Sequence, residues 1–329
     1  MSTPRMPRRS LLRIAEIVGG ILLVLWGAAT LAFLTMRIVP GDPVDVMLGP
    51  QAQVSQAVKD SIRTELGLDR PAIAQYLDYL AGLLRGDLGE SYQLRMPVTE
   101  VIGRQLFPTL QLAALALVFA LLIALAVVLL ARGRRAGAAV AAAELVILSS
   151  PVFWIGLVLL TVFSFTLGWF PVSGSRGFAA LVLPAVTLAL PCAALLGQVL
   201  RDGIEQAERQ PFALTVRARG AGGSRLLLRH TLRHGSTGAL TLAGYLVGSL
   251  LGGAVLVETV FARAGLGRVT LTAITDRDLP VVAGVIMLSA VVFVVVHLLV
   301  DLAYPLLDPR LRSHAAPIGV TPTRMPEPV

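Results

Sequence analysis

Residues 215–235 read "TVRARGAGGSRLLLRHTLRHG", a stretch with five arginines, two histidines and a cluster of glycines at 220, 222 and 223. Before it runs "LVLPAVTLALPCAALLGQVL" (181–200), and after it "STGALTLAGYLVGSLLGGAVLV" (236–257). Each flanking run has the roughly 20 apolar residues that a helix needs to cross hydrocarbon. A basic, turn-forming segment between two such runs predicts a polytopic all-α membrane protein, with the arginines holding a loop on one side.

The rest of the chain agrees. Of 329 residues, 55% are hydrophobic and only 15% charged, against roughly 25% in a soluble domain. The net charge of +8 is almost all arginine, since Lys59 is the sole lysine. Basic chains often meet nucleic acid, but here the arginines cluster between apolar runs, which points to membrane topology and lipid. The single cysteine, Cys192, lies in an apolar run and excludes a disulfide within the chain or a thiolate metal cluster. His230 and His234 share a helix face, yet Thr231 stands where a zinc-protease motif needs Glu. No metal site and no cofactor is expected in this chain.

Six transmembrane helices are predicted, at 14–36, 108–131, 138–167, 179–200, 237–261 and 280–304. The first follows Arg5, Arg8, Arg9 and Arg13, but it is too long and lacks the small-residue cleavage site of a signal peptide. With residues 1–13 inside, the inner segments carry 17 of the 28 basic residues, so the positive-inside rule places both termini in the cytoplasm. Residues 201–236 then form a cytoplasmic loop within a 108–304 core of five helices, and 305–329 a cytoplasmic, proline-rich tail. Residues 37–107 form an extracytoplasmic loop with two short helices, starting at Ser55 and Pro71 and stopping at Gly67 and Gly86.

The loop at 201–236 admits two readings. Its arginines either fix orientation and meet anionic lipid, or form a protein-docking element. At 100° per residue Leu227, Leu228, Thr231 and Leu232 fall on one side of a helix, Arg225, Arg229 and Arg233 on the other, with Leu226 misplaced. Glycines at 220, 222 and 223 would break that helix from the one before, giving a helix–turn–helix.

The segment resembles the cytoplasmic docking loop of ABC-importer permeases, specifically the B-type subunit of the dipeptide, oligopeptide and nickel permease family. Further pieces agree in order: "PGDP" (40–43), "ELGLDRP" (65–71), "LLRGDLGES" (83–91), "PVTEVI" (97–102), "PTLQLA" (108–113), "SSPVFWIGL" (149–157) and "LGWFPVSG" (167–174). They continue with "LPAVTLALP" (183–191), "VETVFARAGLG" (257–267), "DRDLPVV" (276–282) and "LVDLAYPLLDPRLR" (299–312). The wider Glu-Ala-Ala loop pattern fits poorly, since Leu214, Thr215 and Val216 replace its acid and alanines. The peptide-permease version fits "TVRARG" better, while "HGSTGAL" (234–240) departs from relatives.

The resemblance implies an ABC type I importer permease fold and an ATP-driven importer of dipeptides or oligopeptides, half of whose channel this chain forms. It implies no catalysis here: no P-loop is present, so ATP hydrolysis belongs to two ATP-binding subunits or a fused one. A second, C-type permease and an extracytoplasmic substrate-binding protein complete the complex. It places ATPase docking at Arg217, Ala218, Arg219, Gly220, Ala221, Gly222, Arg225 and Arg229. Asp69, Asp78 and Asp87 are candidate contacts for the binding protein, against a loop that merely caps the pore. Glu258 and Phe261 are candidates for the substrate path or outer gate, against a structural pair of Glu258 with Arg263. Dipeptide, longer peptide, glutathione, nickel chelate and haem all remain open as cargo. The alternative is an ion-coupled secondary transporter acting without ATPase partners, which would need intramembrane acids such as Glu144, Glu258 or Asp301. A membrane-embedded enzyme using Ser149, Ser150 and His297 lacks any G-x-S-x-G or paired acid.

Overall fold

The computed structural model describes residues 8–48, 54–130, 133–175 and 177–307. The backbone is helical almost throughout: α1 (Arg8–Ile38), α2 (Pro43–Leu48), α3 (Gln56–Glu65), α4 (Ala72–Leu84), α5 (Val98–Leu130), α6 (Arg134–Ser149) and α7 (Val152–Leu159) come first. Then follow α8 (Ala179–Glu208), α9 (Pro211–Ala218), α10 (Gly223–Leu226), α11 (Leu232–Val260), α12 (Leu266–Thr275) and α13 (Leu279–Leu307). In hydrocarbon the backbone must satisfy itself, and the helix does so within one segment.

Five of these helices, α1, α5, α8, α11 and α13, are long and apolar enough to cross a membrane. The stretch read from the sequence as a span at 138–167 is bent. The chain bends by 110° between Arg135–Ser149 and Val152–Thr166. The cause is Pro151, which pushes Ser150 into an extended conformation (ψ 135°) and ends α6. Beyond α7 the helix widens to a π turn over Leu160–Thr166. The expected helices of the 37–107 segment are present as α3 and α4, with Ser55 and Pro71 before them. Gly67 and Gly86 follow them at φ +64° and +78°, in the left-handed region that favours glycine.

The core is built on small residues. Ala116, Ala120 and Ala124 form a buried stripe on α5, as do Ala185, Ala189 and Ala193 on α8. Lipid is as apolar as leucine, so close backbone approach and dispersion hold such helices together. Of the most apolar window, 67% is buried in α8 but only 11% in α1, which puts α8 at the centre and α1 at the rim. α1 packs chiefly against α13.

Where α8 and α11 cross, Gly203 meets Gly235. A Cβ on Gly203 would stand 2.4 Å from the Gly235 carbonyl oxygen, and one on Gly235 would stand 2.7 Å from the Ile204 nitrogen. The "HGSTGAL" departure therefore brings a glycine to a backbone-to-backbone contact. A second clamp joins α6 to α8: the Arg201 guanidinium donates to both carboxylate oxygens of buried Glu144, one at 2.7 Å. Gly197 leaves room for it, since a Cβ there would lie 3.0 Å from Glu144 Oε1.

Overpacking a well-filled contact costs roughly 1–3 kcal/mol, and here the obstacle is backbone that cannot swing aside. Gly203→Val is expected to lower the melting temperature of the purified complex, measured by thermal unfolding, whereas Gly222→Ala, which meets open space, is expected to leave it unchanged. Equal melting temperatures for Gly203→Val and the parent would remove the crossing from this account.

Candidate functional site

Two ends of the helix bundle carry chemistry. At the arginine-rich end the connection between α8 and α11 is shorter than the 201–236 loop read from the sequence. α8 runs on to Glu208 and α11 begins at Leu232. Between them lies the helix–turn–helix. Gly220 adopts φ +79° after α9. Its N–H donates to the Arg217 carbonyl at 2.9 Å, and the Ala221 N–H donates to Val216 at 3.3 Å. That pair of bonds is a Schellman stop, in which a left-handed residue lets the last carbonyls find donors. A Cβ on Gly220 would meet nothing within 4 Å, so the position is selected by conformation, not by space.

The second helix of the loop is not separate. A π turn at Leu227–Thr231 joins α10 directly to α11. This extra residue per turn explains Leu226, which the 100° wheel misplaces: Leu226, Leu227 and Thr231 are buried, while Leu228 faces out. Arg217, Ala218, Arg219, Gly220, Gly222, Arg225 and Arg229 are all exposed, and Ala221 is half-buried. Arg217 reaches back to Glu208 at 3.1 Å, tying α9 to the end of α8. At the same end a cavity of about 550 Å³ opens between α8, α9 and α11, lined by Asp202, Gly203, Gln206, Gln210 and Gly235 among others.

At the opposite end Glu258 is fully buried, at 0% exposure, and Phe261 nearly so. Glu258 Oε1 accepts from the Thr109 hydroxyl at 2.6 Å, and Oε2 accepts from the N–H of Gly267 at 2.7 Å and of Arg268 at 3.3 Å. Thr109 Oγ1 accepts from the Leu266 N–H at 2.8 Å. The carboxylate thus caps α12 from another helix, where orphan amides and the helix dipole favour negative charge. Arg263 is tied to Glu258 through the backbone, its N–H donating to the Glu258 carbonyl at 2.8 Å, and its guanidinium charge attracts the carboxylate without a direct hydrogen bond between them. Its buried guanidinium has Nε and Nη1 without a partner among the described residues. Gly265 and Gly267 let α12 come this close. A Cβ on Gly265 would stand 2.1 Å from Glu258 Oε1, and one on Gly267 would stand 2.2 Å from the Val255 Cα.

Glu258 stands behind the wall of a cavity of about 300 Å³ between α5, α11, α12 and α13, lined by Thr109, Gly252, Val255, Leu266, Thr270 and Ser289 among others. The candidate path residues Glu258 and Phe261 are absent from that lining. Glu258 holds two of the residues that do line it, Thr109 and Gly267.

A second buried carboxylate at this end, Asp278, was not singled out from the sequence. It accepts from the Ser91 hydroxyl, from the Tyr92 N–H at 3.0 Å and from the Gln93 N–H at 3.4 Å. Burial, reinforced by Asp278, pushes the Tyr92 phenol above its ordinary value. The neighbouring Arg277 donates to the Pro40 carbonyl at 3.1 Å. The turn at 276–278 therefore stitches the 37–107 segment onto the core. An acid just before an apolar run is the one signal the sequence offered. Asp69, Asp78 and Asp87 are all exposed. Asp78 pairs with Arg70, and Asp87 accepts from the Gly89 N–H at 2.8 Å.

The acids that an ion-coupled carrier would need are engaged in structure: Glu144 with Arg201, Glu258 with α12. Asp301 belongs to α13, with its side chain outside the described residues. The residues of the enzyme reading are not brought together. Ser150 donates to the Val146 carbonyl of its own helix at 2.7 Å, and His297 stacks on Phe293 with centroids 5.7 Å apart.

Comparison with known proteins agrees with this architecture. The model of the binding-protein-dependent transport system inner membrane component matches residues 116–313, and that of its N-terminal part matches residues 9–113. The chain is 36% identical to the di/tripeptide transport system permease protein DppB of Pseudomonas aeruginosa, covering 91% of this chain and 98% of that one. It is 33% identical to the glutathione transport system permease protein GsiC of Salmonella choleraesuis, over 89% and 96% of the two chains. Among solved structures, inward-facing forms of the MetNI methionine ABC transporter match with TM-scores of 0.50 and 0.51 at 18% and 19% identity. They cover 63% and 62% of this chain, and 96% and 95% of theirs, and they share the fold.

Removing Glu258 leaves two buried donors, the Thr109 hydroxyl and the Gly267 N–H, without an acceptor, at roughly 1–3 kcal/mol for each unsatisfied group. Glu258→Ala is expected to speed amide hydrogen exchange at residues 266–269 by at least tenfold, and Glu258→Gln, which keeps one acceptor, by less. Exchange unchanged in Glu258→Ala would show that the carboxylate does not hold α12.

Proposed function

We propose peptides as the cargo of this chain, which belongs to the family of binding-protein-dependent transport system inner membrane components and is a permease subunit of an ABC importer in the inner membrane. Membership of that family implies ATPase and substrate-binding partners. The finer composition is our proposal: a second, C-type permease, two ATP-binding subunits or one fused chain, and an extracytoplasmic binding protein. The peptide assignment is supported by relatives whose names specify di/tripeptides and glutathione, at more than 30% identity over most of the chain. The arginine-rich end is cytoplasmic in this reading, with both termini, because basic residues are retained on that side.

The docking surface for the ATPase is the turn at 217–229. The observation that carries this reading is the exposed Schellman turn at Gly220, which leads through α10 and the π turn into α11. A segment needed only for orientation requires charge, not a defined turn. Here Ala218 and Ala221 keep the turn slim enough for close approach, and the arginines around it can grip carboxylates with their planar forks. A push on the turn passes through α10 and the π turn into α11, whose far end carries Glu258 and the cavity wall. The permease itself performs no hydrolysis. It converts closure of the ATPase subunits into alternating access for the cargo. On the opposite side Asp69, Asp78 and Asp87 offer the binding protein an acidic surface.

A side chain in the left-handed region costs about 1 kcal/mol or more. Gly220→Val leaves every arginine in place, so a loop that serves orientation alone would tolerate it. The expected outcome is normal membrane insertion, with loss of the ATPase subunits on co-purification or hydrolysis uncoupled from peptide uptake in reconstituted vesicles. Full uptake with full subunit recovery would overturn the docking assignment.

A further inference from the structure

One apolar surface of the 37–107 segment has no partner among the described residues. Ile73, Leu77, Leu80 and Leu84 on α4 fall within about 60° of one another on a helix of 100° per residue. Ile73 and Leu77 are more than half exposed and Leu84 is 91% exposed, while Leu80 is half-buried. A second face, about 120° round, carries Tyr76 and Tyr79, whose rings pack on Phe33 of α1 with centroids 5.2 and 5.9 Å away. The Tyr76 and Thr30 hydroxyls share a hydrogen bond of 2.8 Å. The third face carries Gln75, Asp78 and Arg85.

Those contacts fix the depth of α4. The apolar window of α1 runs from Ala15 to Ile38. Arg37, near its end, donates to Gln75 Oε1 at 3.4 Å, which puts the polar face of α4 at the level of that guanidinium. Phe33 lies one helical turn deeper, about 6 Å, and Thr30 nearly another. Helices that lie in a membrane surface bury their apolar face about 5–10 Å into the boundary between headgroups and acyl chains. α4 has that depth, that division of faces, an arginine at each end (Arg70 and Arg85) and two tyrosines at the interface. The neighbouring face of α1 continues the same surface with exposed Leu31, Leu34 and Ile38.

We propose that α4 is a membrane-surface helix whose Ile73–Leu77–Leu80–Leu84 stripe is covered by the acyl chains of the leaflet at that end. The lipid surface, together with the Asp278 and Arg277 contacts, then fixes the height of the 37–107 segment and the acids it displays. This assignment rests on membrane location alone and not on the identity of the cargo or the docking of the ATPase.

The test uses the assembled importer in liposomes, in a Cys192→Ala background. Nitroxide labels are placed at Leu77→Cys and Leu84→Cys, with Ile73→Cys as a further site on the stripe should one label disturb assembly. Ser61→Cys, exposed on α3, is the aqueous control. Collision rates are read with molecular oxygen, which concentrates in acyl chains, and with a water-soluble nickel chelate. The stripe is expected to favour oxygen severalfold and Ser61→Cys to favour the chelate severalfold. Preference for the chelate on the stripe would mean a face turned to water or to the binding protein. Protection from both reagents would mean a face covered by another subunit. Either result overturns the proposal.

Discussion

A single carboxylate inside the bundle ties together the end of the molecule where the chain is least regular. Glu258 sits where an unpaired charge would cost several kcal/mol, and its oxygens are filled by Thr109 of α5 and two amides of α12. Three elements converge on it because two glycines, Gly265 and Gly267, leave no side chain in the way. The same α11 that carries Glu258 at one end crosses α8 at Gly235 and runs through a π turn into the arginine-rich turn at the other. The positions of the cavity wall and of the exposed turn are thereby set on one continuous stretch of helix.

Small residues and buried carboxylates divide the work of holding this fold. Alanine stripes on α5 and α8 bring backbones close, which is the only large packing gain available in lipid. Carboxylates then pin the pieces that packing cannot specify: Glu144 holds the bent α6 through Arg201, Glu258 holds α12, and Asp278 holds the segment around Ser91. Each is buried and each is satisfied, as polar groups in a dry interior must be. Acids that would mark a proton pathway by position alone are here fasteners by contact.

The long apolar runs made the class and most spans legible in the sequence, and the glycines at 67, 86 and 220 marked the stops of the short helices α3, α4 and α9. What periodicity missed was local backbone chemistry. Pro151 turns one apparent span into two helices, and the π turn at 227–231 rotates Leu226 inward against a 3.6-residue wheel. Glu258 was visible as an acid at the end of a span, but its partners lie 149 residues before it and 9 or 10 after it. No spacing rule connects them. Asp278 was harder, because its acid sits in an ordinary charged turn and its ligands come from residues near 91. The turn at Gly220 was the most legible local feature, since a left-handed glycine after a short helix and a rim of arginines are both set by neighbouring residues.

The account centres on that turn as the place where the permease meets its motor. The most direct measurement is photo-cross-linking from the turn itself in the purified importer. Ala218→Cys, in a Cys192→Ala background, is modified with a maleimide-benzophenone and irradiated in liposomes that retain peptide uptake. The account predicts a covalent adduct between this chain and the ATPase subunit, mapped by mass spectrometry to residues around Ala218. Adducts with lipid alone, in vesicles that still transport, would contradict it.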